Sequence, residues 1–101
     1  MKTYPEYMDD NRLHSFEIDN LLCSRRKATR IVESVPGVKI LRRPKLLFSW
    51  FIEEIFCEFE LDGVHFQIDE PFGDNSRYWI GSPEKDNSKP IEAIHNAFVK
   101  A

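Results

Sequence analysis

The 101-residue chain combines 42% hydrophobic and 13% aromatic residues with 31% charged ones, and its formal net charge is −3 at neutral pH. That composition suits one domain with a single core and excludes a chain disordered throughout. The acidic balance also argues against a nucleic-acid footprint. Two cysteines cannot make a disulfide framework, nothing at the N-terminus reads as a secretory signal, and no run approaches the ~20 apolar residues of a membrane span. The expectation is a cytoplasmic protein, not bound to membrane, with Cys23 and Cys57 as small reduced core residues.

Residues 1–14 read as a loosely ordered leader that Tyr4 and Tyr7 can dock, and residues 15–101 as a single α+β domain. A helix is expected to begin between Ser15 and Asn20, where Ser15, Asp19 and Asn20 all offer a capping oxygen. Ile18, Leu21, Leu22, Ala28, Ile31, Val32 and Val35 recur at helical spacing and give that helix one apolar face. Arg26, Lys27 and Arg30 fall on the other side, toward water, and Pro36-Gly37 ends the element. Arg25 to Lys27 with Arg30 reads as the solvated face of a helix, since no aromatic side chains interleave with it. Val38–Leu41 is a short strand candidate, closed by Arg42, Arg43 and Pro44.

Leu46–Leu61 is long for one strand, and its apolar residues change parity near Glu53-Glu54. Phe48, Trp50 and Ile52 fall on one parity, and Ile55, Cys57, Phe59 and Leu61 on the other. One inserted residue does this, as a β-bulge or a break between two strands. A helix over Phe48–Phe56 is the rival reading. Asp62-Gly63 is the two-residue turn of type I′ hairpins, which need positive φ at both central positions. Folding there pairs Leu61 with Val64, Phe59 with Phe66 and Cys57 with Ile68 on one face. The opposite face pairs Glu60 with His65 and Glu58 with Gln67, and brings Asp69 near Phe56. The hairpin spans 56–69.

Arg77–Gly81 is a further strand, after a loop holding Pro71, Gly73, Asp74 and Asn75. Ser88 offers a cap for a last helix with Pro90 in its first turn and an apolar stripe of Ile91, Ile94 and Phe98, helped by Ala97. The expected fold is an N-terminal helix, an antiparallel sheet of about four strands and a C-terminal helix, with the helices on one face of the sheet.

Charge is unevenly spread. Residues 1–45 hold ten bases against six acids, residues 46–76 hold eight acids and no Lys or Arg, and residues 77–101 hold four bases against three acids. The acidic stretch coincides with the most strand-like part of the chain, so Glu58, Glu60 and Asp69, with Glu53 and Glu54 beside them, are expected to form a fixed acidic face. A fixed field of one sign steers partners of the other, so a basic protein is the implied partner. Solubility, or protection of an exposed sheet edge, is the plainer reading of the same acids.

Arg77 and Trp79, on one side of their strand, are the pairing favoured at binding hot spots. His65 opposite Glu60 is the acid/base candidate, with Asp69 as alternative carboxylate. His14, His65 and His95 stand far apart, and no glycine-rich loop precedes a helix, so neither metal nor cofactor is expected. Trp50, Phe51 and Ile52 could form a self-association patch, giving a monomer or weak homodimer.

The segment Glu70-Pro71-Phe72-Gly73-Asp74-Asn75-Ser76-Arg77-Tyr78-Trp79-Ile80, set between a hairpin and a short closing helix over residues 55–98, resembles small bacterial proteins of the polymorphic-toxin immunity type. That resemblance implies a stoichiometric inhibitor of a toxin, with acids often supplying the contact. The expectation is therefore a non-enzymatic binding module contacting its partner through Glu58, Glu60, Asp69, Arg77 and Trp79. The alternatives are a small enzyme at His65 and a self-associating scaffold.

Overall fold

Asp62 and Gly63 both adopt positive φ, at 53° and 79°, as a type I′ turn requires. The turn joins two strands, Ile55–Leu61 and Val64–Asp69, in the register Leu61↔Val64, Glu60↔His65, Phe59↔Phe66, Glu58↔Gln67 and Cys57↔Ile68. A computed structural model describes residues 1–21, 23–44, 54–70, 76–83 and 88–101. In chain order the elements are β1 (Thr3–Tyr7), β2 (Leu13–Asp19), α1 (Arg25–Glu33), β3 (Lys39–Arg42), β4 (Ile55–Leu61), β5 (Val64–Asp69), β6 (Arg77–Gly81) and α2 (Ser88–Lys100).

The described strands form one six-stranded sheet, ordered β1-β2-β6-β5-β4-β3, with every described pairing antiparallel. The expected fold of about four strands with an N-terminal helix is corrected here: two strands come first. Residues 3–7, within the segment read as a loose leader, form edge strand β1, where Pro5 is tolerated because one side needs no partner.

The expected helix start at Ser15–Asn20 is occupied by β2. Phe16 and Ile18 are fully buried while Glu17 and Asp19 point to the opposite face, the period of two that defines a half-buried strand. Helical spacing through Ile18 and Leu21 was coincidental: Leu21 is 86% exposed. The helix begins only at Arg25, where the Ser24 hydroxyl accepts from the Lys27 amide at 3.0 Å. Its end does fall before Pro36-Gly37, with Gly37 at φ 90°.

The parity change expected at Glu53-Glu54 rests on residues outside the described ones, and β4 carries a bulge of its own further along. Ile55 pairs with Asp69 and Cys57 with Ile68, so the extra residue is Phe56. Phe56 and Cys57 are both fully buried, and Asp69 is therefore opposite Ile55 rather than Phe56. The strand-or-helix question over residues 46–53, Trp50, Phe51 and Ile52 included, and the loop at 71–75 lie outside the described residues.

Both described helices pack on one side of the sheet. Phe98 of α2 meets Phe16 edge-on at 5.4 Å, Phe56 meets Tyr78 at 5.0 Å, and Phe59 stacks on Phe66 at 5.4 Å. Ile91, Ile94, Ala28 and Val32 complete the core between the layers, and Cys23 and Cys57 are free thiols buried within it. At the far end of α2 the Met1 amino group donates to the carbonyls of Phe98, Val99 and Ala101 at 3.1, 2.9 and 2.7 Å. The Val99 carbonyl is one that a helix end otherwise leaves open, whereas Phe98 O also accepts from the Ala101 amide at 3.2 Å.

Arg25 does not join the water-facing row. Its Nε and Nη2 donate to Glu70 Oε1 at 3.0 and 2.7 Å, its guanidinium lies 4.6 Å over the Phe56 ring, and Asn20 Nδ2 donates to the other Glu70 oxygen. The side chains of Arg25 and Glu70 are only 10% and 13% exposed. Removing one member of such a pair strands the other in a poorly solvated site. Glu70→Gln should lower stability by about 3 kcal/mol, measured as a drop in the urea midpoint at constant m-value.

Candidate functional site

Glu17 and Asp19 of β2, Glu58 and Glu60 of β4, the odd-numbered residues of β5, and Arg77 and Trp79 of β6 look away from the helices. The five residues expected at the contact, Glu58, Glu60, Asp69, Arg77 and Trp79, accordingly share one face of three neighbouring strands. Their immediate partners differ from the expectation. His65 stands opposite Glu60 in the ladder, but its Nε2 lies 3.2 Å from Glu58 Oε1. Arg42, brought beside Glu58 by β3, approaches the other carboxylate oxygen at 3.5 Å. Exposed pairs of this kind contribute little to stability.

Arg77 does not reach Asp69 or Glu70. Its Nη1 donates to Glu17 at 3.4 Å, its Nε lies 3.6 Å from Asp19, and its guanidinium covers the Tyr4 ring at 3.6 Å. Tyr4 in turn donates its hydroxyl to Asp19 at 2.9 Å. Glu17, Asp19 and Tyr4 thus join the face unanticipated, because β1 and β2 were read as leader and helix. The alternation Phe16-Glu17-Ile18-Asp19 was the available signal.

Trp79 lies along its own strand. A Cβ on Gly81 would come within 2.6 Å of Trp79 Cζ2 and 2.9 Å of Ser15 Cβ, so only glycine lets the indole lie so close to the sheet. Next to it Asp69 is half-buried, its oxygens accepting from Gln67 Nε2 at 3.1 and 3.2 Å. Burial raises the Asp69 pKa, opposed by the Gln67 bonds and reinforced by the fields of Glu54 and Glu58.

Glu6, Glu17, Asp19, Glu58, Glu60 and Asp69 face Lys39, Arg42 and Arg77 across the same surface. The acids outnumber the cations, and Glu60 and Asp69 have no salt bridge among the described residues. Glu54 is exposed at the edge, its carbonyl accepting from the Glu70 amide at 2.8 Å, while Glu53 lies outside the described residues. No group of three or more His, Cys, Asp or Glu among the described residues could hold a metal ion, and no described helix is long and apolar enough to cross a membrane. No family model, curated protein or solved structure matches the chain.

Two outcomes follow from this geometry. Gly81→Ala should displace the indole and cost about 1–3 kcal/mol, seen as a moved Trp79 indole N–H resonance and a lower urea midpoint. The second concerns Asp69, whose folded pKa lies above the ordinary value of 3.8. The native state holds that proton more tightly than the unfolded chain. Stability from this group is full below 3.8 and is lost as pH rises through the raised folded value. Asp69→Asn should therefore melt above wild type at neutral pH, with the gap closing as the pH of successive melts falls below 3.8.

Proposed function

We propose that the chain is a non-enzymatic protein-binding module, an inhibitor of the immunity type whose acidic sheet face docks on a basic protein. The observation that carries this reading is the placing of Trp79, its indole close against Gly81, among carboxylates that outnumber the cations of the same face. Glu58 and Glu60 supply a field that speeds encounter with a basic surface and rejects an acidic one. Trp79 supplies a rigid apolar contact at the centre, and Arg77, held by Glu17 and Asp19, presents a pre-ordered guanidinium edge. Asp69, half-buried beside Trp79 with a raised pKa, is a charge kept where the fold alone disfavours it. A cation on the partner would offset that cost.

The test is a capture from lysate of the native cell by the wild type and by the Glu58→Lys/Glu60→Lys double variant, whose folding is checked by circular dichroism. A basic protein held one-to-one by the wild type should bind the double variant about 100-fold more weakly, with a salt-dependent on-rate. A partner kept equally by both overturns the acidic-face reading.

The His65–Glu58 contact at 3.2 Å supports a second reading, a small enzyme with a carboxylate-oriented imidazole. It requires a pH-dependent activity that His65→Ala abolishes and Trp79→Ala leaves in place.

A further inference from the structure

The basic residues of α1 divide between two environments. Arg25 turns into the core against Glu70, whereas Arg26 and Arg30, four residues apart, remain exposed side by side. Together with Arg43, just beyond β3, and with Thr29 and Pro44, they line a cavity of about 370 Å³. Arg43 is engaged by Glu33, its Nη1 donating to Glu33 Oε1 at 3.3 Å. Arg26 and Arg30 have no acidic partner among the described residues.

This arrangement works against the helix that carries it. The first turn of α1 holds Arg25, Arg26 and Lys27 and no acid, although the unbonded amides of a helix start disfavour cations. Like charges four residues apart also repel along a helix face. A dianion seated between Arg26, Arg30 and Arg43 would reverse both effects at once. Guanidinium groups fit phosphate oxygens two at a time, and the cavity is at the small end of the range for organic ligands.

We infer that the cavity lined by Arg26, Arg30 and Arg43 binds the phosphoryl group of a small molecule. It lies at α1 and the end of β3, apart from Trp79 and Asp69, and is independent of the protein-binding reading. A nucleic-acid strand fits less well. Its described lining offers no aromatic ring for a base to stack on, and the chain as a whole is acidic.

The full chain, isotopically labelled, is titrated with inorganic pyrophosphate and with a phosphomonoester at constant ionic strength, beside the Arg26→Ala/Arg30→Ala variant. Both substitutions fall at exposed helical positions, where alanine is well tolerated. Expected is saturable one-to-one binding, with amide shifts centred on Arg26–Arg30 and Arg43, weakened about tenfold or more in the variant. Arg43→Ala, remote from the helix start, should weaken binding in the same direction. Failure to saturate, equal binding by the variants, or the same shifts on adding chloride overturns the inference. Tighter binding of a single-stranded oligonucleotide than of pyrophosphate, lost in the same variants, replaces the small molecule with a nucleic acid.

Discussion

Two consecutive positive-φ residues, Asp62 and Gly63, set the register on which the sheet is built. The turn commits Cys57, Phe59, Leu61, Phe66 and Ile68 to the helix side, and Glu58, Glu60, His65, Gln67 and Asp69 to the other. A slip of one residue would exchange those sets and put carboxylates into the core. β3 reads its register from β4 and β6 from β5, and β2 and β1 are added through β6. The acidic face is thus a consequence of hairpin geometry, inherited strand by strand.

The bulge at Phe56 couples that sheet to the helical layer. With two successive side chains pointing inward, β4 gives Phe56 to Tyr78 and to the Arg25 guanidinium while Cys57 keeps its place opposite Ile68. The same inward turn of Arg25 leaves Glu70 neutralised inside, so the acid just beyond the hairpin contributes nothing to the open face. One ion pair therefore separates structural charge from surface charge, and it separates Arg25 from Arg26 and Arg30 as well.

What could be read from the chain follows the reach of the interactions involved. The β4–β5 pairing depends on a local turn and strict alternation, and each expected pair from Cys57 to Leu61 is found. The apolar stripe Ile91, Ile94 and Phe98 is likewise a local pattern and is buried. Elements whose conformation is decided by distant partners were harder to read. Leu13–Asp19 becomes a strand between β1, its neighbour in the chain, and β6, some sixty residues later; the alternation Phe16-Glu17-Ile18-Asp19 is local, but nothing near it announces β6 as a partner. For the candidate site, side-chain direction was legible within the hairpin and on β6. The ionic partners were not: Arg77 answers Glu17 and Asp19, and Glu70 answers Arg25. Long side chains choose among several acids by tertiary proximity, which alternation along one strand does not encode.

The hydrogen bonds from Met1 to the last turn of α2 make the described fold nearly a closed ring. A short linker from Ala101 to Met1 would leave the sheet order intact, and new ends could open at the exposed Asp9-Asp10 turn between β1 and β2. In such a circular permutant β1 would be the last strand synthesised, laid against β2 after both helices are in place. Chain order and spatial order are separable in this sheet, and an edge strand can be moved from one end of the polypeptide to the other without moving in space.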